Sequence, residues 1–487
     1  MGINNNKPME AKREFMTSLF WASSSSGLAK LIDLITLVAL ARLLDPFTFG
    51  LVAIAVLVMN TLGLFSNLGL GAALIQKDKI TDDENNTVFL TTPMLNVLIY
   101  VIAFLLAHPA ARFFGTPEVA NIIKVLALIL VIQSLSTVPS ALLQKKLNYK
   151  KLLLSEMTAS IVYFMVSVGL ALNGMGVWSL VFGQLARYFA AGIVLWAVCG
   201  WRPKWNFRWG SFRSLFSFGK HIVFLGVISF VLKNLDNAVI AKFLSAGDLG
   251  LYTIAYTIGN ILPQFIKMTV GRVAFPVYSK WDEDYPDFRR RFLIINKVNL
   301  IFCSWATLLL ITISGPFVSL FLGGKWVASV VMIQILALFG FQRAVASVCA
   351  PALNAMNVPQ AQREPMILNS VIFVPLVIPA AKYIGVVGVA ALATISIIPG
   401  FIWIILRTFR LLKIQNELWN FFRPLSIAGL SLGAWALLEP VISNLGLLSL
   451  IISFFLISIV FWGIMWAFEK KLFSQLYQLK EVVRSAA

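Results

Sequence analysis

Two lysine–aspartate pairs with the same spacing lie inside long apolar stretches of the sequence. Lys30 precedes Asp33 by three positions, and Lys233 precedes Asp236 by three positions. In a helix, residues at i and i+3 share one face, so each pair would present a cation and an anion together. Charged groups inside a membrane are costly and usually functional. The pairs therefore predict a cationic site for a large anion, with aspartates that exchange a proton or another cation. Self-neutralised pairs that only set helix register are the alternative.

The apolar stretches that carry these pairs recur along the whole chain. Its 487 residues are 59% hydrophobic and 13% charged, with a mean hydropathy of +0.84. Stretches of about 20 residues cross a bilayer core, and backbone groups in lipid must form helical hydrogen bonds. We therefore predict an all-α membrane protein with about fourteen transmembrane helices. Their approximate bounds are 17–43, 48–75, 86–107, 118–143, 152–173, 176–199, 219–244, 249–278, 293–313, 327–355, 366–385, 387–406, 424–440 and 446–468.

The basic residues are concentrated in alternate loops between these stretches. The chain has 40 Lys and Arg against 21 Asp and Glu, a formal net charge of +19. Loops rich in Lys and Arg usually lie on the cytoplasmic side of a membrane. This pattern therefore predicts that both termini are cytoplasmic. The same distribution speaks against nucleic acid as a partner. The 3 cysteines and 2 histidines show no metal-ligand spacing, and we expect neither a metal nor another cofactor.

A repeat with an offset of 200 residues relates the two halves of the chain. Ala41-Arg42-Leu43-Leu44 corresponds to Ala241-Lys242-Phe243-Leu244, and Gly50-Leu51 corresponds to Gly250-Leu251. With a short gap, the two Lys–Asp pairs align as well. Six predicted helices separate the copies, so both copies enter the membrane from the same side. Parallel repeats usually flank a central cavity. We predict two parallel six-helix lobes around such a cavity, plus a C-terminal helix pair.

The predicted division of the chain has four parts. They are an N-terminal six-helix lobe (1–200), a cytoplasmic inter-lobe loop (201–218), a C-terminal six-helix lobe (219–406), and the extra helix pair with a cytoplasmic amphipathic tail (407–487). The inter-lobe loop is rich in Trp and Arg. We interpret it as an interfacial belt, with a docking site for anionic lipid or a partner protein as the alternative.

Four further basic residues fall on the predicted helices. Lys267 and Arg272 follow the second Lys–Asp pair and would add positive charge to the anion site. Arg187 and Arg343 are weaker candidates for the same role. All four are expected to face a cavity or a partner rather than lipid.

Uncharged and acidic polar residues complete the set of candidates. Asn60, Asn67 and Asn260 are candidates for contacts with sugar hydroxyls, although such residues more often serve close helix packing. The acidic clusters Asp82–Glu84 and Asp282–Asp284 are interpreted as solvated loop charge rather than catalytic groups.

Several segments give the chain a family resemblance. They are Ala41-Arg42-Leu43-Leu44-Asp45-Pro46, Phe49-Gly50-Leu51, Gly69-Leu70-Gly71-Ala72-Ala73-Leu74-Ile75-Gln76, Gln144-Lys145-Lys146-Leu147-Asn148-Tyr149, Gly250-Leu251-Tyr252 and Phe275-Pro276. In these segments the chain resembles the polysaccharide-transporter branch of the multidrug/oligosaccharidyl-lipid/polysaccharide exporter superfamily. It most resembles Wzx-type flippases of lipopolysaccharide biosynthesis, of the colanic-acid exporter kind.

The resemblance implies an alternating-access flippase of the bacterial inner membrane, a transporter and not an enzyme. It implies that the substrate is an undecaprenyl-diphosphate-linked oligosaccharide repeat unit for exopolysaccharide or O-antigen biosynthesis, moved with an H+ or Na+ gradient. Lys30, Lys233 and Arg272 match the positions that hold the diphosphate in related flippases, and Lys267 is grouped with them. Asp33 and Asp236 are the expected coupling or charge-pair residues. Membrane lipids and other polysaccharide-assembly proteins are further expected partners.

Two other functions remain open from the sequence. The first is a cation-coupled drug or small-solute exporter of the same fold, although predicted helix 1 lacks the proline that such exporters often carry. The second is a membrane enzyme of polysaccharide assembly, although the predicted outside loops are too short to hold a catalytic domain.

Overall fold

The computed structural model describes residues 27–66, 68–77, 80–261, 285–442 and 446–469. All regular structure in these ranges is helical, which confirms the prediction of an all-α protein. Ten helices within the ranges are long and apolar enough to cross a membrane, or eleven if a bent pair counts as one span. The larger number of about fourteen transmembrane helices stays a prediction. The predicted amphipathic tail lies outside the described residues, apart from residues 468 and 469.

The helices of the first half include both long spans and short segments. They are α1 (27–43), α2 (Pro46–Gly63), α3 (Leu70–Gln76), α4 (Asp82–Phe114), α5 (Val119–Leu126), α6 (Leu128–Ser134), α7 (Thr137–Lys145), α8 (Tyr149–Leu172), α9 (Val177–Cys199), α10 (Trp209–Phe243) and α11 (Ala246–Gly259).

The second half continues after the gap at 262–284. Its helices are α12 (Tyr285–Phe317), α13 (Ser329–Ala346), α14 (Cys349–Ala355), α15 (Arg363–Ile384), α16 (Val386–Ser396), α17 (Ile398–Leu411), α18 (Leu418–Ile442) and α19 (Leu447–Phe468). The chain divides into two compact units, Met1–Gly250 and Leu251–Ala487.

The predicted span 48–75 is interrupted in the structure. α2 ends at Gly63 and α3 begins at Leu70, because Leu68 and Gly69 adopt left-handed conformations with φ of 42° and 72°. A right-handed helix cannot continue through such residues. The span predicted at 118–143 is also bent, by 46° between Ser134 and Thr137.

The long helix α4 begins with a capping box. The Thr81 hydroxyl accepts a hydrogen bond from the backbone N–H of Glu84, and the Glu84 carboxylate accepts one from the backbone N–H of Thr81 at 3.0 Å. These bonds satisfy N–H groups that have no partner within the helix. Glu84 is buried and also pairs with Lys77. The helix ends at Phe114, and Gly115, which follows it, has a φ of 69°.

The loop before α10 is held against the start of α4. Asp83 accepts hydrogen bonds from the Arg208 guanidinium at 2.9 Å and the Asn206 amide at 2.7 Å. The backbone N–H of Lys204 donates to the Asn86 side chain at 2.8 Å. Asp83 and Glu84 therefore fix the loop and the helix start, which corrects their interpretation as solvated charge. The second acidic cluster, Asp282–Asp284, lies outside the described residues.

Equivalent positions of the sequence repeat contact each other within the unit Met1–Gly250. A Cβ on Gly50 would overlap the carbonyl group of Ala246, and a Cβ on Gly250 would overlap that of Pro46. Pro46 and Ala246 correspond in the repeat, as do the two glycines. The first turns of α2 and α11 thus cross backbone to backbone with two-fold reciprocity, at a distance that only glycine permits.

The C-terminal helices α18 and α19 pack on α12 in the unit Leu251–Ala487. Ile294, Ile301 and Leu308 form a stripe along α12 that contacts Ile427 of α18 and Phe461 of α19. Their spacing of seven residues places these α12 side chains on one face. The last two helices are therefore part of the packed interior of this unit.

Candidate functional site

The first Lys–Asp pair does not form an internal ion pair. The Asp33 carboxylate instead accepts two parallel hydrogen bonds from Arg187 of α9, each 3.1 Å long. The side chains of Asp33 and Arg187 are 23% and 28% exposed, so water screens the pair only in part. Lys30 is exposed on α1, and within the described ranges its ammonium group has no hydrogen-bond or ion-pair partner.

The guanidinium of Arg187 is enclosed by groups from α8. It lies over the Tyr163 ring, 5.4 Å from the ring centroid, and one of its nitrogens is 3.5 Å from the hydroxyl of buried Ser160. The planar guanidinium fits both contacts because it stacks on aromatic rings and binds carboxylates bidentately. Asp33 and Arg187 therefore tie α1 to α9. Arg187 neutralises an aspartate here and adds no net charge to a site formed with Asp33.

The second pair has a similar division between its two members. Lys233 is exposed on α10 and, like Lys30, has no hydrogen-bond or ion-pair partner in the part of the chain that is described. Asp236 is only 6% exposed, and its carboxylate accepts a hydrogen bond of 2.8 Å from the backbone N–H of Asn237. Each repeat copy thus places an accessible ammonium group one turn before an aspartate that other groups contact.

The asparagines differ in how far their polar groups are already used. Asn60 is exposed at the end of α2. Asn260 is buried, accepts a hydrogen bond of 2.9 Å from Arg343, and donates to the Tyr256 carbonyl at 3.0 Å. Arg343 also lies over the Phe339 ring. This network occupies both polar atoms of Asn260. Asn67, Lys267 and Arg272 lie outside the described residues.

The partner of Asp33 is the main feature of the site that sequence reasoning missed. The i, i+3 spacing points to Lys30, whereas Arg187 is 154 positions away. The sequence marks Arg187 only as an ionisable residue in an apolar helix, and its spacing to Asp33 contains no signal. The aromatic contact with Tyr163 also joins different helices.

The sequence of the chain matches that of a known protein family. Residues 39–331, more than half of the chain, match the sequence profile of a family described as "Polysaccharide biosynthesis protein". The chain belongs to this family. The matched segment contains the reciprocal glycines and the second Lys–Asp pair, whereas Lys30 and Asp33 precede it.

Individual relatives agree with membership of the polysaccharide biosynthesis protein family. The chain is 25% identical over 387 residues to "Lipopolysaccharide biosynthesis protein WzxC" of Escherichia coli (strain K12), covering 78% of each chain. It is 29% identical over 280 residues to "Teichuronic acid biosynthesis protein TuaB" of Bacillus subtilis (strain 168), covering 57% of this chain and 58% of the other.

The fold is similar to that of a solved lipid transporter. The structure titled "Lipid II flippase MurJ, inward closed conformation" matches with a TM-score of 0.73 and 14% sequence identity, covering 93% of this chain and 99% of that chain. At this identity the likeness concerns the fold. Together with the many apolar helices and the bacterial relatives, it identifies a multi-pass bacterial membrane protein.

Proposed function

We propose that this protein is a flippase that moves undecaprenyl-diphosphate-linked oligosaccharide repeat units across the bacterial inner membrane for surface polysaccharide biosynthesis. Membership of the polysaccharide biosynthesis protein family and the fold of a lipid II flippase support this class of substrate. In this proposal two parallel lobes alternate between inward and outward access, both termini are cytoplasmic, and the protein is a transporter rather than an enzyme.

The observation that carries the proposal is the exposure of Lys30 and Lys233 on largely apolar helices. Neither ammonium group is neutralised by a described carboxylate, although each has an aspartate at i+3. A phosphate at about 4 Å from one ammonium group gains about 4 kcal/mol at an effective dielectric constant of about 20. Such an attraction offsets part of the cost of bringing a diphosphate into a membrane cavity. Lys267 and Arg272 are proposed to add to the same anion site.

The two aspartates have different roles in this proposal. Arg187 occupies both oxygens of Asp33, so Asp33 acts as the charge-pair residue that holds α1 against α9. Asp236, in contrast, is the group that we propose to exchange H+ or Na+ during the transport cycle. Asn60 is exposed, and we propose that it contacts sugar hydroxyls. We propose the same role for Asn67. Asn260 is proposed for such contacts only if Arg343 releases it.

Deletion of the gene in its own host tests the proposed function. We expect lipid-linked repeat units to accumulate in the cytoplasmic leaflet and surface polysaccharide to disappear, because the units reach the outer leaflet only by transport. A plasmid-borne copy should restore both. A plasmid-borne Lys146→Gln copy should restore both equally well, since Lys146 is a lysine outside the membrane helices.

The same strain separates the flippase from an exporter of drugs. A drug or small-solute exporter predicts increased drug sensitivity with unchanged surface polysaccharide and unchanged lipid-linked intermediates. That combination would contradict the proposed function.

A further inference from the structure

A small cavity lies between four helices of the unit Leu251–Ala487. It has a volume of about 150 Å³ and is formed where the ends of α12 and α18 meet the starts of α13 and α19. The predicted topology places this end of the helices outside. Five of the nine lining residues have oxygen-bearing side chains, namely Thr312, Gln334, Glu439, Ser449 and Ser453.

The hydrogen-bond donors of this lining are largely used on neighbouring groups. The Thr312 hydroxyl donates to the carbonyl of Leu308 at 2.8 Å, and the Ser449 hydroxyl donates to that of Gly446 at 2.6 Å. Each hydroxyl has one hydrogen and two lone pairs, so acceptor capacity remains on both oxygens.

The other polar side chains of the lining follow the same pattern. The Gln334 amide nitrogen donates to a backbone carbonyl of α12 at 3.1 Å, which leaves its oxygen as an acceptor. Trp435 donates its indole N–H to the Ser453 hydroxyl at 3.4 Å. Acceptor oxygens therefore remain on this otherwise apolar lining. A ligand that binds them offers positive charge or hydrogen-bond donors.

Glu439, an exposed residue, is the acidic member of this cavity lining. It lies in the last turn of α18, where the helix dipole is itself negative and favours cations. Within the described ranges no Lys or Arg forms an ion pair with it. One carboxylate that shares a cavity lining with neutral oxygens suits a single positive charge, whereas divalent cations in proteins usually have several carboxylate ligands.

We propose that this cavity is a binding site for a sodium-sized monovalent cation. Glu439 supplies the compensating charge, and the oxygens of Thr312, Gln334 and Ser449 supply neutral ligands. The site is built by the C-terminal helix pair together with α12 and α13, and it is separate from the Lys–Asp pairs. Use of the bound ion to drive transport rests on the proposed function, but binding of the ion does not.

Equilibrium binding of radioactive ²²Na+ to the purified full-length protein in detergent tests the site. We expect saturable binding that unlabelled Na+ displaces and that choline does not displace. Glu439→Gln should raise the apparent Kd about tenfold or more, because it removes the only charged ligand. Glu118→Gln is the matched control, since it removes an exposed carboxylate at the same predicted side without touching the cavity.

Two smaller changes keep the test valid if Glu439→Gln does not fold. Thr312→Val and Ser449→Ala each remove one oxygen with little change in volume, and each should weaken ²²Na+ binding several-fold. Absence of saturable binding to the unmodified protein, or equal affinity in all cavity variants, would overturn the proposal. Transport of the glycolipid is measured separately, so loss of the cation site with intact flipping would leave the proposed function standing.

Discussion

Breaking the ion pair between Asp33 and Arg187 should destabilise the protein, and removing both partners should cost less than the sum of the two single changes. Two parallel hydrogen bonds of 3.1 Å join the charged groups. Hydrogen bonds to charged groups contribute about 1.5–3 kcal/mol each. About a quarter of each side chain is exposed, so solvent reduces this gain. We therefore expect a coupling free energy of about 2 kcal/mol.

Removing only one partner leaves the other partner as an uncompensated charge among apolar helices. Asp33→Asn and Arg187→Gln should each lower the free energy of unfolding by about 3 kcal/mol, the lower end of the range for buried ion pairs, because this pair is only partly buried. The free energies are measured by titration with sodium dodecyl sulfate in mixed micelles. Asp33→Asn combined with Arg208→Gln is the control cycle, because Arg208 pairs with Asp83 instead. Strict additivity of Asp33→Asn and Arg187→Gln would refute the pairing.

The remaining predictions concern the repeat contact and a helix start, and the same unfolding titration measures them. Gly50→Ala and Gly250→Ala should each cost more than about 2 kcal/mol, because a Cβ overlaps the facing carbonyl group. Gly169→Ala, in the open part of α8, should be neutral or stabilise by up to about 1 kcal/mol, and equal effects at all three glycines would contradict the close crossing. Thr81→Ala should cost about 1 kcal/mol through loss of the capping box with Glu84, and an unchanged stability would mean that the box contributes nothing.

The helices were predictable because their signals are local. Apolar stretches of the right length predict α8, α9 and α19 nearly to their ends, whereas α18 begins at Leu418, before the predicted start at 424. The start of α4 also has a local signal, the Thr81-x-x-Glu84 capping box, and Gly115 marks its end. The break between α2 and α3 lies inside the single span predicted at 48–75, where the polar residues Ser66 and Asn67 precede Leu68 and Gly69 in the sequence.

The contacts between helices were beyond the sequence pattern. The i, i+3 rule relates Asp33 to Lys30 on one helix, but a bidentate guanidinium from another helix is the stronger partner for a carboxylate. The repeat showed that Gly50 and Gly250 correspond. It did not show that each glycine contacts the other copy of the repeat. Correspondence in sequence does not determine which helices pack against each other. The roles of Lys30 and Lys233 in anion binding stay predictions, which rest on the sequence repeat and on the exposure of the two side chains.

Flipping of a fluorescent undecaprenyl-diphosphate oligosaccharide in proteoliposomes tests the central claim most directly. Lys30→Gln and Lys233→Gln should each lower the initial rate about tenfold or more, because each removes one ammonium group from the diphosphate. Lys30→Arg and Lys233→Arg keep the charge and should retain most of the rate, and Lys146→Gln should match the unmodified protein. Rates within about twofold of the unmodified protein for both glutamine variants, in folded protein, would contradict the account.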